Sequence, residues 1–276
     1  MSILSDQHVH SHHSGDSEER MEAVAEQAIA LGLTSLCFTE HEDYDYPVTE
    51  GSDLTPTTFL LDAGAYRQEF LDIRKRYEDR IRLHFGVELG LQPIGEVVEE
   101  NRRFAAAWPF DLVIASTHVA GRMDPYYPSF YEGRSEEEGM RAVFAETLEN
   151  IRQFEDFDVV GHLDYPVRYL PSGRKHIDLS ASRGILDEIF RLIIRRGQGL
   201  DVNTEQLRRG YDEMNPSRAL LTRYHELGGR IITFGSDAHQ AGRLAGFFDR
   251  AEKIVRECGF TGYYVYEDRH PVYVGF

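Results

Sequence analysis

The chain of 276 residues contains little cysteine and no long apolar segment. Its two cysteines, Cys37 and Cys258, cannot form a disulfide framework, so we expect buried free thiols and a reducing compartment. No apolar run approaches the roughly 20 residues that a membrane-spanning helix requires. The first residues also lack the basic segment followed by an apolar one that marks a secretory signal. We therefore expect a cytoplasmic protein with no membrane span.

Positive charge is scarce as well. The chain has 30 lysines and arginines against 47 aspartates and glutamates, which gives a formal net charge of −17. Such a surface repels a polyanion at long range, so extended DNA or RNA is not expected as a partner. Bound metal ions would still make a pocket locally positive. The charge is therefore compatible with a small phosphate ester as the substrate.

The order of predicted elements is regular. Internal repeats, low-complexity tracts and linkers are absent from the sequence, and its length suits one domain, 1–276. Short apolar strands alternate with amphipathic helices, which is typical of βα units around a parallel sheet. The predicted strands are 6–10, 33–39, 82–88, 111–117, 157–161, 199–203 and 230–235. The predicted helices are 17–31, 59–79, 93–106, 136–155, 180–196, 216–227 and 244–258.

Nearly every predicted strand stops on a histidine or a carboxylate. His8 and His10 end the first strand, and alternation along a strand places both imidazoles on one face, where they can reach the same ion. Asp16 follows in the next loop. Equivalent residues near the ends of later strands are His41, Glu88, His118, His162, Asp237 and His239. A lone histidine is more often a structural core group than a ligand, but this repeated placement predicts a metal cluster.

The strand ends also bear on the architecture. A TIM-type barrel gathers functional groups from the C-terminal ends of all its strands. An open doubly wound sheet would use about two loops at one crevice. We therefore predict an α/β fold, a distorted (β/α)7 TIM-like barrel with the metal site at the C-terminal ends of the strands. We expect the loops 42–58 and 119–135 to form the mouth, and the Tyr-rich tail 260–276 to pack against the barrel.

Imidazole and carboxylate ligands without cysteine suit Zn, Fe or Mn. At three or four ligands per ion, the nine side chains would hold two or three ions, with Glu88 able to bridge neighbours. Paired ions generate a hydroxide nucleophile near neutral pH and hold the oxygens of a transferring phosphoryl group. Of the other histidines, His12 and His13 can line the pocket and the rest are interpreted as structural. Asp6 is interpreted as a partner of a ligand or a structural group.

The ordered set of motifs resembles the PHP (polymerase and histidinol phosphatase) family. The matching pieces span residues 6 to 239: His8-x-His10 with Asp16, Phe38-Thr39-Glu40-His41, Gly86-Val87-Glu88, Ser116-Thr117-His118, Gly161-His162 and Gly235-Ser236-Asp237-Ala238-His239. Within that family the chain resembles most the stand-alone histidinol-phosphate phosphatases. The stretches that suggest this branch are EHEDYDYP, GHLDYP, VNTEQLRRG and ELGGRIITFGSDAH.

The resemblance implies a distorted (β/α)7 barrel with three divalent transition-metal ions. By position, the first ion would be held by His8, His10, Glu88 and Asp237. The second would be held by Asp16, His41 and His239, and the third by Glu88, His118 and His162. Many PHP proteins have histidine where this chain has Asp16, which makes the second site harder and more like an Fe or Mn site.

Substrate-binding residues are expected on the loops of the same face. A phosphate dianion benefits from the planar fork of arginine, and the resemblance assigns Arg168 and Arg208 to this role. Asp43 would protonate the leaving alkoxide or hold a substrate ammonium group. Glu205 is a weaker substrate-binding candidate, as are Glu42 and Arg122. The alternative is that each arginine is a solvated surface charge with no role in substrate binding.

The reaction that the resemblance implies is hydrolysis of L-histidinol phosphate in histidine biosynthesis; the residue chemistry alone predicts metal-dependent hydrolysis of a small phosphate ester. The main alternative is a PHP phosphoesterase or nuclease acting on nucleotides or short oligonucleotides, which the net charge disfavours. A degenerate module that only binds a partner is disfavoured by the complete set of nine candidate ligands. A third alternative is a deaminase of the amidohydrolase type. It is disfavoured because such enzymes often have lysine where this chain has Glu88.

Overall fold

The computed structural model describes residues 2–48 and 52–276. Its main sheet has seven strands in chain order, with every neighbouring pair parallel. The strands are β1 (Ser5–Val9), β2 (Ser35–Asp43), β3 (Arg82–Gly90), β4 (Leu112–Ser116), β5 (Val159–Val160), β6 (Gly199–Asn203) and β7 (Ile232–Gly235). This order is the one expected when a helix connects each strand to the next.

The sheet curves round until its two edges meet. The amide of His10 donates to the carbonyl of Ala238 at 3.0 Å, and the amide of Asp237 donates to the carbonyl of His8 at 2.8 Å. These bonds join the end of β1 to the residues that follow β7, so the barrel is nearly closed. The predicted distorted (β/α)7 TIM-like barrel is confirmed.

Helices cover the outside of the barrel. They are α1 (Met21–Ala30), α2 (Ala63–Tyr77), α3 (Gly95–Ala107), α4 (Glu136–Gln153), α5 (Arg183–Arg196), α6 (Glu205–Arg208), α7 (Arg218–Glu226) and α8 (Phe248–Glu257). Their apolar faces pack on the strands in one large core. A small second cluster, which fills the barrel interior, consists of Cys37, Leu112, Ile114, Val159 and Tyr266. None of the described helices is long and apolar enough to span a membrane.

Two boundaries differ from the sequence prediction in ways that affect the site. The second strand was expected to end at residue 39, but it runs to Asp43 because it stays paired with β3 as far as Gly90. Glu42 and Asp43 are therefore strand residues rather than loop residues. The fifth strand is only Val159–Val160, so His162 lies just beyond it. Both cysteines are free and buried, as expected.

The C-terminal tail forms an antiparallel hairpin of β8 (Gly262–Glu267) and β9 (His270–Gly275). The amide of Tyr266 donates to the side chain of Gln7 at 3.2 Å, and the Tyr266 hydroxyl lies 3.4 Å from the carbonyl of Asp158. The hairpin turn also binds Asp111, just before β4. The hairpin thus covers the N-terminal end of the barrel and leaves the C-terminal strand ends for the site.

Candidate metal centre

Glu88 on β3 is the centre of a dense group of imidazoles. Its Oε1 lies 2.8 Å from His162 Nε2 and 3.2 Å from His118 Nε2. Its Oε2 lies 3.1 Å from His8 Nε2, 3.2 Å from His41 Nδ1 and 3.5 Å from His10 Nε2. The Glu88 side chain is fully buried. Five histidines from the ends of four strands therefore converge on one carboxylate.

The remaining candidate ligands complete the cluster on either side. Asp237 Oδ1 lies 3.3 Å from His10 Nε2 and 3.8 Å from His8 Nε2. Asp16 Oδ2 lies 3.2 Å from His239 Nε2 and 3.8 Å from His41 Nε2. The ring of His10 stacks between those of His41 and His239 with centroids 4.3 Å apart on each side. All nine side chains named from the sequence thus lie together at the C-terminal ends of the strands.

The cluster shifts pKa values in both directions: Glu88 and His10 are shifted toward their metal-binding forms, whereas neighbouring carboxylates outweigh burial and raise the pKa values of His8, His118 and His239. Burial raises the pKa of Glu88, but His8, His118 and His41 outweigh it and hold that pKa well below its usual range. Burial, with His239 and His41 nearby, lowers the pKa of His10 to about 3. A neutral imidazole and an ionised carboxylate are the forms that bind a metal ion.

Several buried atoms of the cluster have no hydrogen-bond partner within the described chain. They include ring nitrogens of four histidines and one carboxylate oxygen: His8 Nε2, His10 Nε2, His41 Nδ1, His239 Nε2 and Glu88 Oε2. Leaving such polar atoms unpaired in a protein interior is costly. Three groups in the cluster have ligand atoms within 4.8 Å of one another, as around a shared ion: His10 with His41 and His239, His8 with Glu88 and His162, and His8 with His10 and Asp237. The donor set fits Zn, Fe or Mn, and the cluster is suited to several ions.

The other ring nitrogen of three of these histidines, His8, His10 and His118, is fixed by a neighbour. His8 Nδ1 lies 2.9 Å from Asp201 Oδ2, and His118 Nδ1 lies 2.7 Å from Asp43 Oδ1. His10 Nδ1 lies 3.1 Å from the hydroxyl of Ser14, which itself donates to Glu40 at 2.5 Å. Such partners direct the free nitrogen toward a metal.

Sequence reasoning missed Asp201, Ser14 and Glu40. The sequence could have indicated a role for Asp201, because a carboxylate in the middle of a short apolar strand is unusual. Glu40 directly precedes the candidate ligand His41 in the Phe38-Thr39-Glu40-His41 motif, but nothing in the sequence pairs it with Ser14. Asp6 accepts hydrogen bonds from Ser236 and from the amide of Ala245, so it holds the loop after β7 rather than facing the cluster.

The expected substrate residues have different surroundings. The side chain of Arg168 is only 4% exposed, and its guanidinium donates to Asn215 and Asn203 while its NH1 lies 3.9 Å from Asp237 Oδ2. Arg208 is turned toward Glu205 and pairs with both of its oxygens. Glu205 also accepts from Arg209, which sequence reasoning missed. Asp43 is buried beside His118, and its Oδ2 has no hydrogen-bond partner among the described residues but lies 3.7 Å from His41 Nδ1.

Other candidates point away from the cluster. Glu42 accepts from the amide of Leu61 at 2.5 Å, and Arg122 pairs with Asp45 at 2.9 Å. The imidazoles of His12 and His13 both contact Glu69 on α2 instead of the nine ligands.

A cleft of about 510 Å³ opens over the cluster. Asp16, His41, Asp43 and His118 lie along it, and the rest of its wall is rich in aromatic rings and further carboxylates: Tyr46, Ser52, Asp53, Leu54, Phe59, Asp124, Tyr126, Tyr127, Tyr165, Tyr169 and Arg209. Both loops expected at the mouth contribute, although residues 49–51 of the first lie outside the described part of the chain.

Comparison with known proteins identifies the family. The model of the PHP domain matches residues 6–205. The chain belongs to the PHP family. It is 35% identical over 259 residues to the histidinol-phosphatase of Lactococcus lactis, covering 92% of this chain and 91% of that protein. It is 24% identical over 262 residues to the histidinol-phosphatase of Bacillus subtilis, covering 86% of this chain and 94% of the relative.

A solved structure shows the same fold and the ligands of one relative. The crystal structure of the histidinol phosphate phosphatase of Lactococcus lactis, complexed with Zn, L-histidinol and phosphate, superposes with a TM-score of 0.87. The two chains are 32% identical, and the match covers 98% of this chain and 99% of the other. The PHP resemblance that the motifs indicated is thus confirmed.

Proposed function

We propose that this PHP protein is a metal-dependent phosphomonoesterase that hydrolyses L-histidinol phosphate to L-histidinol and phosphate in histidine biosynthesis. The observation that carries the proposal is the Glu88-centred cluster at the base of an aromatic and acidic cleft. A relative that is similar over almost the whole chain binds Zn, L-histidinol and phosphate. We also propose that the protein acts in the cytoplasm.

We assign the nine clustered side chains to three ions, Zn, Fe or Mn. His8, His10, Glu88 and Asp237 would hold the first, Asp16, His41 and His239 the second, and Glu88, His118 and His162 the third. When bound, such ions supply Lewis-acid charge for the phosphoryl oxygens and lower the pKa of water. Asp201, Ser14 and Asp43 orient the imidazoles for this purpose.

The arginines are assigned to the phosphate. Arg168 is preset by Asn203 and Asn215, and it lies beside the ligand Asp237, so its guanidinium can donate to a phosphoryl oxygen without first being ordered. We assign Arg208, which Glu205 holds, to the same phosphate group. Glu205 holds both Arg208 and Arg209, so we assign its substrate role to positioning these two guanidinium groups.

Asp43 is assigned to the leaving group. Its Oδ1 is engaged by His118 Nδ1 at 2.7 Å, while its Oδ2 makes no hydrogen bond within the described chain, and Asp43 borders the cleft. That oxygen can pass a proton to the departing alkoxide or hold the substrate ammonium group. Asp53 and Asp124 add negative charge along the cleft, and the tyrosine rings offer flat surfaces to an imidazole.

A turnover assay with four substrates tests the proposal: L-histidinol phosphate, p-nitrophenyl phosphate, a dinucleotide and a short single-stranded oligonucleotide. The acidic cleft and the net charge of −17 predict a clear preference in kcat/KM for the amino-alcohol phosphate. A chelated sample, and the same sample after metal is restored, serve as controls. Equal kcat/KM values for histidinol phosphate and the oligonucleotide would favour the nuclease alternative.

A further inference from the structure

Three side chains outside the catalytic cluster form a second convergence of ligand atoms. His12 and His13 lie in the loop between β1 and α1, and Glu69 lies on α2. His12 Nε2 is 3.3 Å and His13 Nε2 is 2.9 Å from the same oxygen, Glu69 Oε2. The three ligand atoms lie within 4.8 Å of one another. The proposed phosphatase chemistry uses none of them.

The spacing of these atoms suits an ion of the zinc class. Zinc binds imidazole nitrogen at about 2.0–2.1 Å and carboxylate oxygen at about 2.0–2.2 Å, so neighbouring ligand atoms of a tetrahedral site lie roughly 3.3–3.4 Å apart. The His12–Glu69 distance of 3.3 Å matches that edge, and the His13–Glu69 distance of 2.9 Å is slightly shorter. In the Glu88 cluster, comparable pairs lie at 2.8 to 3.5 Å.

The outer group is partly preorganised and partly open. The side chain of His13 is only 11% exposed and lies beside Tyr66, with ring centroids 5.5 Å apart. The side chains of His12 and Glu69 are 40% and 33% exposed. A buried imidazole therefore provides a fixed ligand, while the open side leaves a position for water and for exchange with solution.

We propose that His12, His13 and Glu69 form an additional, exchangeable site for a divalent transition-metal ion such as Zn²⁺ or Co²⁺. Two imidazoles and one carboxylate are a ligand set that such ions accept with a water in the fourth position. An ion here would fasten the loop that carries Asp16 to α2. The alternative is a hydrogen-bonded group in which both imidazoles donate to Glu69 and no ion binds.

The first experiment counts ions in the holoenzyme. The wild-type protein, His13→Ala and Glu69→Ala are equilibrated with Zn²⁺ and dialysed against a series of free Zn²⁺ concentrations, and bound zinc is measured by elemental analysis. We expect the wild type to bind one zinc ion in addition to those of the Glu88 cluster. Both variants should bind that additional ion with an affinity at least about tenfold lower. His270→Ala and Glu78→Ala, which change an exposed histidine and an exposed glutamate elsewhere, should bind as the wild type does.

Hydrogen exchange of residues 11–19 provides a second measurement on the same holoenzymes. Raising free Zn²⁺ into the range where the additional ion binds should slow exchange in the wild type and leave it unchanged in Glu69→Ala. Circular dichroism checks that the variants are folded. Equal zinc stoichiometry and affinity in the wild type and both folded variants would overturn the proposal. Because neither readout uses a substrate, failure of the phosphatase proposal would be detected separately, in the turnover assay.

Discussion

His8 and Asp201 pair at 2.9 Å between His8 Nδ1 and Asp201 Oδ2, and both side chains are fully buried. The pair crosses the barrel interior from β1 to β6 and leaves His8 Nε2 directed at Glu88 and Asp237. A carboxylate in this position fixes the tautomer and raises the basicity of the opposite nitrogen. Asp201 is thus as closely tied to the cluster as the candidate ligands.

Asp201→Ala should weaken metal binding although Asp201 contacts no candidate ion position. Loss of this partner frees the His8 ring and leaves Nδ1 unpaired in the core, so metal affinity should fall about 10- to 100-fold. The metal affinity of Asp201→Asn, which keeps an acceptor oxygen, should fall less. Metal titration of the stripped variants measures the effect. Wild-type affinity in folded Asp201→Ala would contradict the assigned role.

Glu88→Gln should be among the most damaging single changes. Its two carboxylate oxygens contact five histidines, and an amide can offer only one oxygen to them. We expect loss of more than one ion per chain and a decrease in kcat/KM of at least about two orders of magnitude. Elemental analysis and steady-state kinetics are the measurements, with Glu267→Gln in the C-terminal hairpin as the matched control. Retention of all ions would show that Glu88 does not bridge.

Arg168→Met and Arg208→Met separate a phosphate-binding role from a surface charge. A charge-assisted contact to phosphate in a partly dehydrated site is worth roughly 2–4 kcal/mol, so kcat/KM should fall by about two to three orders of magnitude. Metal content should change little, because a guanidinium cannot ligate an ion. Lysine in either place should restore only part of the loss. Near-wild-type kinetics for both Met variants, at full metal content, would mean that the ions alone hold the phosphate.

Gly235→Ala should disturb the cluster from β7, the strand next to β1 where the barrel closes. A Cβ on Gly235 would lie 2.2 Å from the Cβ of His8 and 3.0 Å from Asp201 Oδ1, so β7 and β1 would have to separate. Overpacking of this kind costs about 1–3 kcal/mol. We expect lower thermal stability together with weaker metal binding. Gly95→Ala, where an added Cβ meets no atom within 4 Å, is the control. A variant with unchanged stability and metal affinity would refute the steric argument.

Asp158→Asn should change how stability depends on pH. Burial raises the pKa of Asp158 to about 6, against the opposing effect of Arg269. Between pH 3.8 and about 6 the folded protein therefore holds a proton that the unfolded chain has lost, so the contribution of Asp158 to stability decreases as pH rises through this window. The free energy of unfolding of Asp158→Asn, relative to wild type, should increase from pH 4 to pH 6 and then level off. Urea denaturation of the metal-free proteins measures it; a constant difference would contradict the prediction.

Sequence reasoning accounted for the barrel and for which side chains share its C-terminal face. Alternation places His8 and His10 on one side of a strand, and parallel connections carry every strand end to the same face. The predicted strand boundaries were wrong where hydrogen bonding to a neighbouring strand decides where a strand ends. The second strand continues to Asp43 because β3 supplies partners that far, and no local signal marks that boundary.

The identities of the nine clustered residues were therefore determined by the sequence alone, because period-two alternation and the βα repeat are local properties of the chain. Only the tertiary structure decided how those residues are held. Asp201 reaches His8 across the barrel, and outside the cluster Glu69 on α2 meets His12 and His13. Such contacts depend on barrel closure and on the rotation of each helix against its strand, since residues far apart in sequence become partners only when the core has packed.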